Sequence, residues 1–324
     1  MKQTILVSIS LLLIIVAILC PPTTIKPEIV AGAGNGKNAE IKNAEDFVAV
    51  LDLFANGSGY SANSSNSGIE SMAKLIKKSN HTSGTLNEES HLSSLTYHKS
   101  FDGYSISGEP LYSNYGKNTT SFNRSLTLFL DGDKSYYVTK GVFKNEYDPI
   151  KITENNVASS IDYTWEMEVF IDGNDLYIKF INFILKKDNK DICDVSEILG
   201  KWVKIPDEAA YEMIGFVDEL NRSNLSMIQN MFDEEFCDEI ENKDIYTKSL
   251  SVLEENDTEL IIDFSDTESS SICIKTDGAE DGSNISQKDL LVFYNIDNTV
   301  IKADIENYVD LDMDDYERIF GGDE

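Results

Sequence analysis

The sequence predicts an α+β fold: a curved antiparallel β-sheet with helices packed on one of its faces. Three observations carry that expectation. Hydrophobic residues alternate with period two from residue 121 to about 205 and again from about 246 onward, the mark of half-buried strands. Two hairpins of nearly one design follow each other, "FLDGDKSYYVT" from Phe129 and "FIDGNDLYIKF" from Phe170. Helical periodicity is confined to the N-terminal part and to a stretch between the two strand-rich regions. Sequential strands with short links become antiparallel neighbours, and helices that interrupt such a meander pack most readily on one face of its sheet.

The first element is apolar. Lys2 precedes the run "ILVSISLLLIIVAILC", Ile5 to Cys20, and Pro21-Pro22 follows it. As a helix this run is about 24 Å long, near the upper length of a signal-peptide core and slightly short of a full membrane crossing. The expectation is export, with the chain held on the extracytoplasmic face of the cell membrane. Cys20 resembles the lipidated cysteine of a bacterial lipoprotein, although Leu19 stands where a small residue is usual and Ala17 where Leu is usual. "AGA", Ala31 to Ala33, has the form of an ordinary signal-peptidase site. An uncleaved or lipid-modified anchor ranks above full secretion.

Residues 21–40 read as a tether. "NAEDFVAVLDLF" then places Ala44, Phe47, Val48, Leu51 and Phe54 on one helical face, and "IESMAKLIKK" offers Ile69, Met72, Ala73 and Ile76 at the same spacing. From Ser79 to Thr120 the chain is dense in Ser, Asn, Gly and Tyr and reads as loop, with short strands around "LTYHKSF" and "GYSISG". The two hairpins come next. Asp-Gly between alternating runs is a hairpin signal because the turn needs positive φ; the three residues after each Gly leave a longer connection open. "KWVKI" adds a strand. Pro206 and Asp207 open a helix with Ala210, Met213, Ile214, Val217 and Leu220 on its apolar face. Ser223 is the N-cap of a second helix, with Leu225, Ile228, Phe232 and Phe236 on one side. "YTKSLSVLEEN", "TELIIDFSD", "SSICIKTD", "LLVFYNID" and "TVIKADI" complete the meander. The predicted organisation is an anchor over 1–20, a tether over 21–40, one domain over 41–310 and an acidic tail over 311–324.

Composition bounds the function. The 324 residues carry a formal charge of −30 with 41% hydrophobic residues, enough for a substantial core. Such a charge disfavours nucleic acid as a partner, since phosphate recognition requires cations that release counterions. Beyond Cys20 the cysteines are Cys193, Cys237 and Cys273; none has C-x-x-C spacing, so one disulfide and three buried thiols both stay open. Nine Asn-x-Ser/Thr triplets matter only in a host that glycosylates.

Chemistry-bearing patterns are sparse. His81, His91 and His98 fall at spacings that fit no compact metal site and read as surface residues of the Ser/Asn-rich segment. No nucleophile elbow, P-loop or Rossmann fingerprint occurs. Glu166 and Glu168 share one sheet face and read as a solvated face rather than a glycosidase pair. Asp310, Asp312 and Asp314 begin like a calcium loop, but Asp315 stands where Gly is needed and Gly321 where a bidentate Glu is needed. No metal, cofactor or catalytic group is expected.

"DLYIKF", then "LGKWVKIP", then the helical pair, then "LLVFYNIDNTVIKA" is an order that resembles the LolA/LppX-like (LprG-like) envelope lipoproteins, over residues 121–307. The resemblance implies a half-barrel sheet whose concave side is covered by helices, with a hydrophobic cavity between them that takes lipid or acyl chains. It implies that Met213, Ile214, Val217, Leu225, Ile228 and Phe232 line or lid that cavity. The functional expectation is a membrane-anchored, extracytoplasmic, non-catalytic binding protein for a lipid or other hydrophobic ligand. The alternative is a cell-surface structural or interaction protein with a solid core.

Overall fold

A computed structural model describes residues 28–41, 44–56, 81–97, 103–104, 110–111, 116–149, 158–173, 175–210, 244–250, 257–266, 268–280, 283–305 and 307–320. The apolar run with Cys20, the helical stretch at 69–76, His98, Cys237 and the helix-pair residues Met213, Ile214, Val217, Leu225, Ile228 and Phe232 lie outside these. Among the described residues no helix is long and apolar enough to cross a membrane.

Sixteen strands and two longer helices are described. In chain order they are β1 (Glu28–Ala33), α1 (Ala44–Asn56), β2 (Ser83–Tyr97), β3 (Gly103–Tyr104), β4 (Pro110–Leu111), β5 (Gly116–Asp131), β6 (Lys134–Pro149), β7 (Ser159–Asp172), β8 (Asp175–Lys187), β9 (Lys190–Asp191), β10 (Trp202–Lys204), β11 (Ile245–Leu250), β12 (Asp257–Asp263), β13 (Ser269–Glu280), β14 (Ser283–Tyr294), β15 (Thr299–Asp304), β16 (Val309–Asp310) and α2 (Met313–Phe320). One helical turn, 207–210, follows Pro206.

Twelve strands form one open sheet in the order β11-β12-β13-β14-β2-β5-β6-β7-β8-β10-β16, with β9 paired to β8. Every pairing in it is antiparallel except β10 with β16. The doubled hairpin is its centre: β5-β6 and β7-β8 close at Asp131↔Lys134 and Asp172↔Asp175. The first loop is therefore only Gly132-Asp133, the shorter of the two connections that the sequence leaves open. Gly132 and Gly173 sit at φ +62 and +60, the conformation that glycine tolerates freely.

Period two sends alternate side chains to a core face. One cross-strand row runs Phe293, Leu86, Leu128, Tyr137, Val169, Ile178 and Val203, each at most 1% exposed. Each such burial removes apolar surface worth about 1.5–3 kcal/mol. Helix α1 docks on this face as its 3.6 period predicts: Phe47 meets Phe293 edge-on at 5.6 Å, and Phe54 lies 5.5 Å from the same ring. At the far side α2 sets Phe320 against Phe180, ring centroids 5.8 Å apart.

Three expectations are corrected. The segment from Ser79 to Thr120 is not mainly loop: β2 runs fifteen residues and joins the two halves of the sheet. "TVIKADI" leaves the meander. As β15 it pairs with β1, inside the stretch expected as a tether, and this small sheet lies over the second face. There Ile301 packs with Tyr136, Phe170 and Trp202. The acidic run at 310–317 is a helix start, where Asp312 Oδ1 accepts from the Asp315 amide at 2.9 Å as an N-cap.

Candidate ligand-binding groove

The second face is not covered throughout. Beyond the two-stranded β1-β15 sheet it carries an open groove of about 670 Å³ that crosses six strands, from β14 to β8. This volume is in the range of small-molecule sites, about 300–1,000 Å³.

Strand register builds the groove as two rows. The first row is Leu290, Glu89, Ser125, Lys140, Glu166 and Asn182, each directly opposite the next. The second row is Lys288, His91, Asn123, Val142 and Thr164. Most of these side chains are exposed, Val142 to 40%. β-bulges fall beside the groove on three of its strand pairs, between Ser286 and Gln287, between Leu92 and Leu95, and between Glu166 and Met167. A bulge bends its strand and increases local twist, so these irregularities re-aim the side chains of the flanking rows.

Between the two rows the chain sends its side chains to the core. Ser90, Arg124, Gly141 and Trp165 form that middle row and also border the groove. Arg124 pairs with Glu88, and the two side chains are 7% and 0% exposed. Ser90 donates to Asp289, which also accepts from Gln287 Nε2 at 2.7 Å. Trp165 lies over Gly141 and donates from Nε1 to Thr139 Oγ1 at 3.1 Å. These contacts fix the strands that present the groove. Removing one partner of a buried ion pair generally costs several kcal/mol, about 3–5, because the other charge stays buried.

The charges in the groove alternate across the strands: Lys288, then Glu89, then Lys140, then Glu166. Lys140 is opposite Glu166 on neighbouring strands, yet no ion pair joins them among the described residues. Glu168, one pleat along the same face, is differently placed. It accepts from Tyr136 Oη at 2.8 Å and from Lys179 Nζ at 3.0 Å. Burial, then the Glu168 hydrogen bond and charge, raise the Tyr136 phenol above its ordinary value, so it stays protonated and donating. The Lys179 ammonium also lies 5.6 Å from the Trp202 ring. Glu166 and Glu168 thus share a face, as the period requires, but only Glu166 lines the groove.

Of the histidines, His81 is a half-buried partner of the exposed Asp297, Nδ1 to Oδ2 2.8 Å, whereas His91 stands on β2 inside the groove. Cys193 and Cys273 are free thiols. No group of three metal-ligating side chains occurs among the described residues. Apart from His91 and Glu166, which read as a surface histidine and part of a solvated face, the groove residues escape a reading of the sequence because most are ordinary polar side chains on the outer half of an alternating strand. Only pairing six strands side by side brings them together. No protein-family model matches the chain, and no curated protein matches it in sequence.

Proposed function

We propose that the protein is a membrane-tethered, extracytoplasmic binding protein that takes its ligand in the groove on the outer face of its sheet. The single observation that carries this reading is that groove: about 670 Å³, open, and lined by polar and charged side chains from six strands. The apolar run before Pro21 supports the tether, through the bilayer or through a lipid on Cys20. The three bulges support a sheet curved as a half-barrel, with the groove in a hollow of its second face. A hydrophobic ligand, as the LolA/LppX-like resemblance implies, would sit on the core face instead. The described part of that face favours packing over space: Leu126, Met167 and Phe180 are at most 3% exposed.

Ser125 points from β5 into the middle of the groove, so Ser125→Trp fills it without entering the core. The full-length chain in detergent is expected to be retained on immobilised envelope material from its own cells, and Ser125→Trp is expected to pass through. Equal retention of the two proteins would overturn the reading.

A further inference from the structure

We propose that the groove binds an oligosaccharide chain without net charge; this rests on the groove being the binding site. The first argument is shape. A small molecule is held by enclosure that buries most of its surface, about 70–90%. Here Glu89, Lys140, Asn182 and Lys288 remain exposed at the groove's surface. A trough that crosses six strands, about 24 Å of sheet at the usual strand spacing, fits a ligand that is itself a chain.

The second argument is hydrogen bonding. The groove strands β14, β2, β5, β6 and β7 are paired on both sides, and β8 is paired with β7 at Asn182, so most backbone donors and acceptors beneath the groove are already used in the ladder. Recognition must come from side chains. An extended peptide lying there would find no backbone partners for its own amides, which pair well at sheet edges and not on faces. Sugar hydroxyls both donate and accept. Asn123 and Asn182 offer amides that do both, Glu89 and Glu166 accept, and Lys140 and Lys288 donate. Val142 and Leu290 add apolar surface for the C–H faces of a sugar ring.

The third argument is charge. The chain carries −30 overall, so a polyanion or a second copy of the chain is repelled at long range. Inside the groove two carboxylates, Glu89 and Glu166, are balanced by two ammonium groups, Lys140 and Lys288, while Arg124 at its border is paired with buried Glu88. A ligand without net charge meets no repulsion in approaching and finds both donors and acceptors on arrival.

The test uses the full-length chain in detergent micelles on a printed array of neutral, acetamido-bearing and polyanionic oligosaccharides, beside an array of extended peptides. Binding to neutral or acetamido sugars is expected. Asn123→Ala and Asn182→Ala should each weaken it about tenfold, and Ser125→Trp should abolish it. Binding to peptides or to polyanionic sugars alone, still blocked by Ser125→Trp, overturns the ligand class and leaves the groove as the site. Binding to neither array, or binding that Ser125→Trp leaves intact, overturns the groove itself.

Discussion

Gly141 and Trp165 are opposite each other on β6 and β7, and the indole occupies the place where a side chain at 141 would begin. A Cβ there would collide with the ring, which is also held by its bond to Thr139 and stacked on Tyr163 at 4.7 Å. Gly141→Ala is expected to destabilise the fold by about 1–3 kcal/mol, as overpacking a close-packed site does. Urea unfolding checks it; an unchanged midpoint would mean that the ring moves freely. Cys193 gives a second test at this scale. Burial first, then the Asp194 charge, push its thiol up to about 11 from 9.0, and it donates to the Ile319 carbonyl at 3.1 Å. Because the folded value lies above the unfolded one, its contribution to stability is whole below about pH 9 and is lost as pH rises through about 11. Iodoacetamide is therefore expected to alkylate Cys193 slowly at pH 7 in the native protein and rapidly once it is unfolded. Equal rates would sink the argument.

Turns and strands differ in how openly the sequence announces them. Gly132-Asp133 is a two-residue loop with positive φ at Gly132 only, the pattern of a type II′ turn. Gly132→Val and Gly173→Val should each lower the melting temperature, since a β-branched residue is strained there. Neither turn residue lines the groove, so ligand binding at matched folded fraction should not change; a selective loss of binding would give the turns a ligand role. The β8-β9 turn at Asp188-Asn189 has positive φ at both residues, but no glycine marks it in the sequence. Strand β2 was hidden for another reason. Its core-facing positions include Glu88 and Ser90, which are 1% exposed and bonded to Arg124 and Asp289. A buried polar network interrupts the apolar alternation by which a strand is recognised. Helix α1 was legible because Phe47, Leu51 and Phe54 keep strict helical spacing. Its docking site is Gly84 of β2, where a Cβ would come within 2.9 Å of Phe54 Cζ.

At the scale of the whole molecule, the anchor and the sheet make separate predictions. Deleting residues 1–20 is expected to move the chain from the membrane pellet to the supernatant after a carbonate wash. Persistence in the pellet would place the attachment elsewhere. Cys20→Ala separates the two kinds of anchor: release means that a lipid does the holding, retention that the apolar run does. The sheet itself is open, ending at β11 on one side and at β16 on the other among the described residues. Its first face is core, and its second is shared between the two-stranded β1-β15 sheet and the groove.

The antiparallel sheet, the two Asp-Gly turns and the apolar face of α1 could be read directly from the residues, because each depends on neighbours a few positions apart. Periodicity and turn chemistry are local, and here local preference and final structure agree. The pairing of β14 with β2, which joins two meanders through strands more than a hundred residues apart in the chain, is not local. Nor is the departure of β15 to pair with β1, or the assembly of Glu89, Asn123, Lys140, Glu166, Asn182 and Lys288 into one groove. These depend on which strand edges meet and on which face is left without a cover. A polar residue on an alternating strand has the same sequence signature whether it faces open water or a ligand. Only the neighbours brought beside it by long-range pairing make it part of a site.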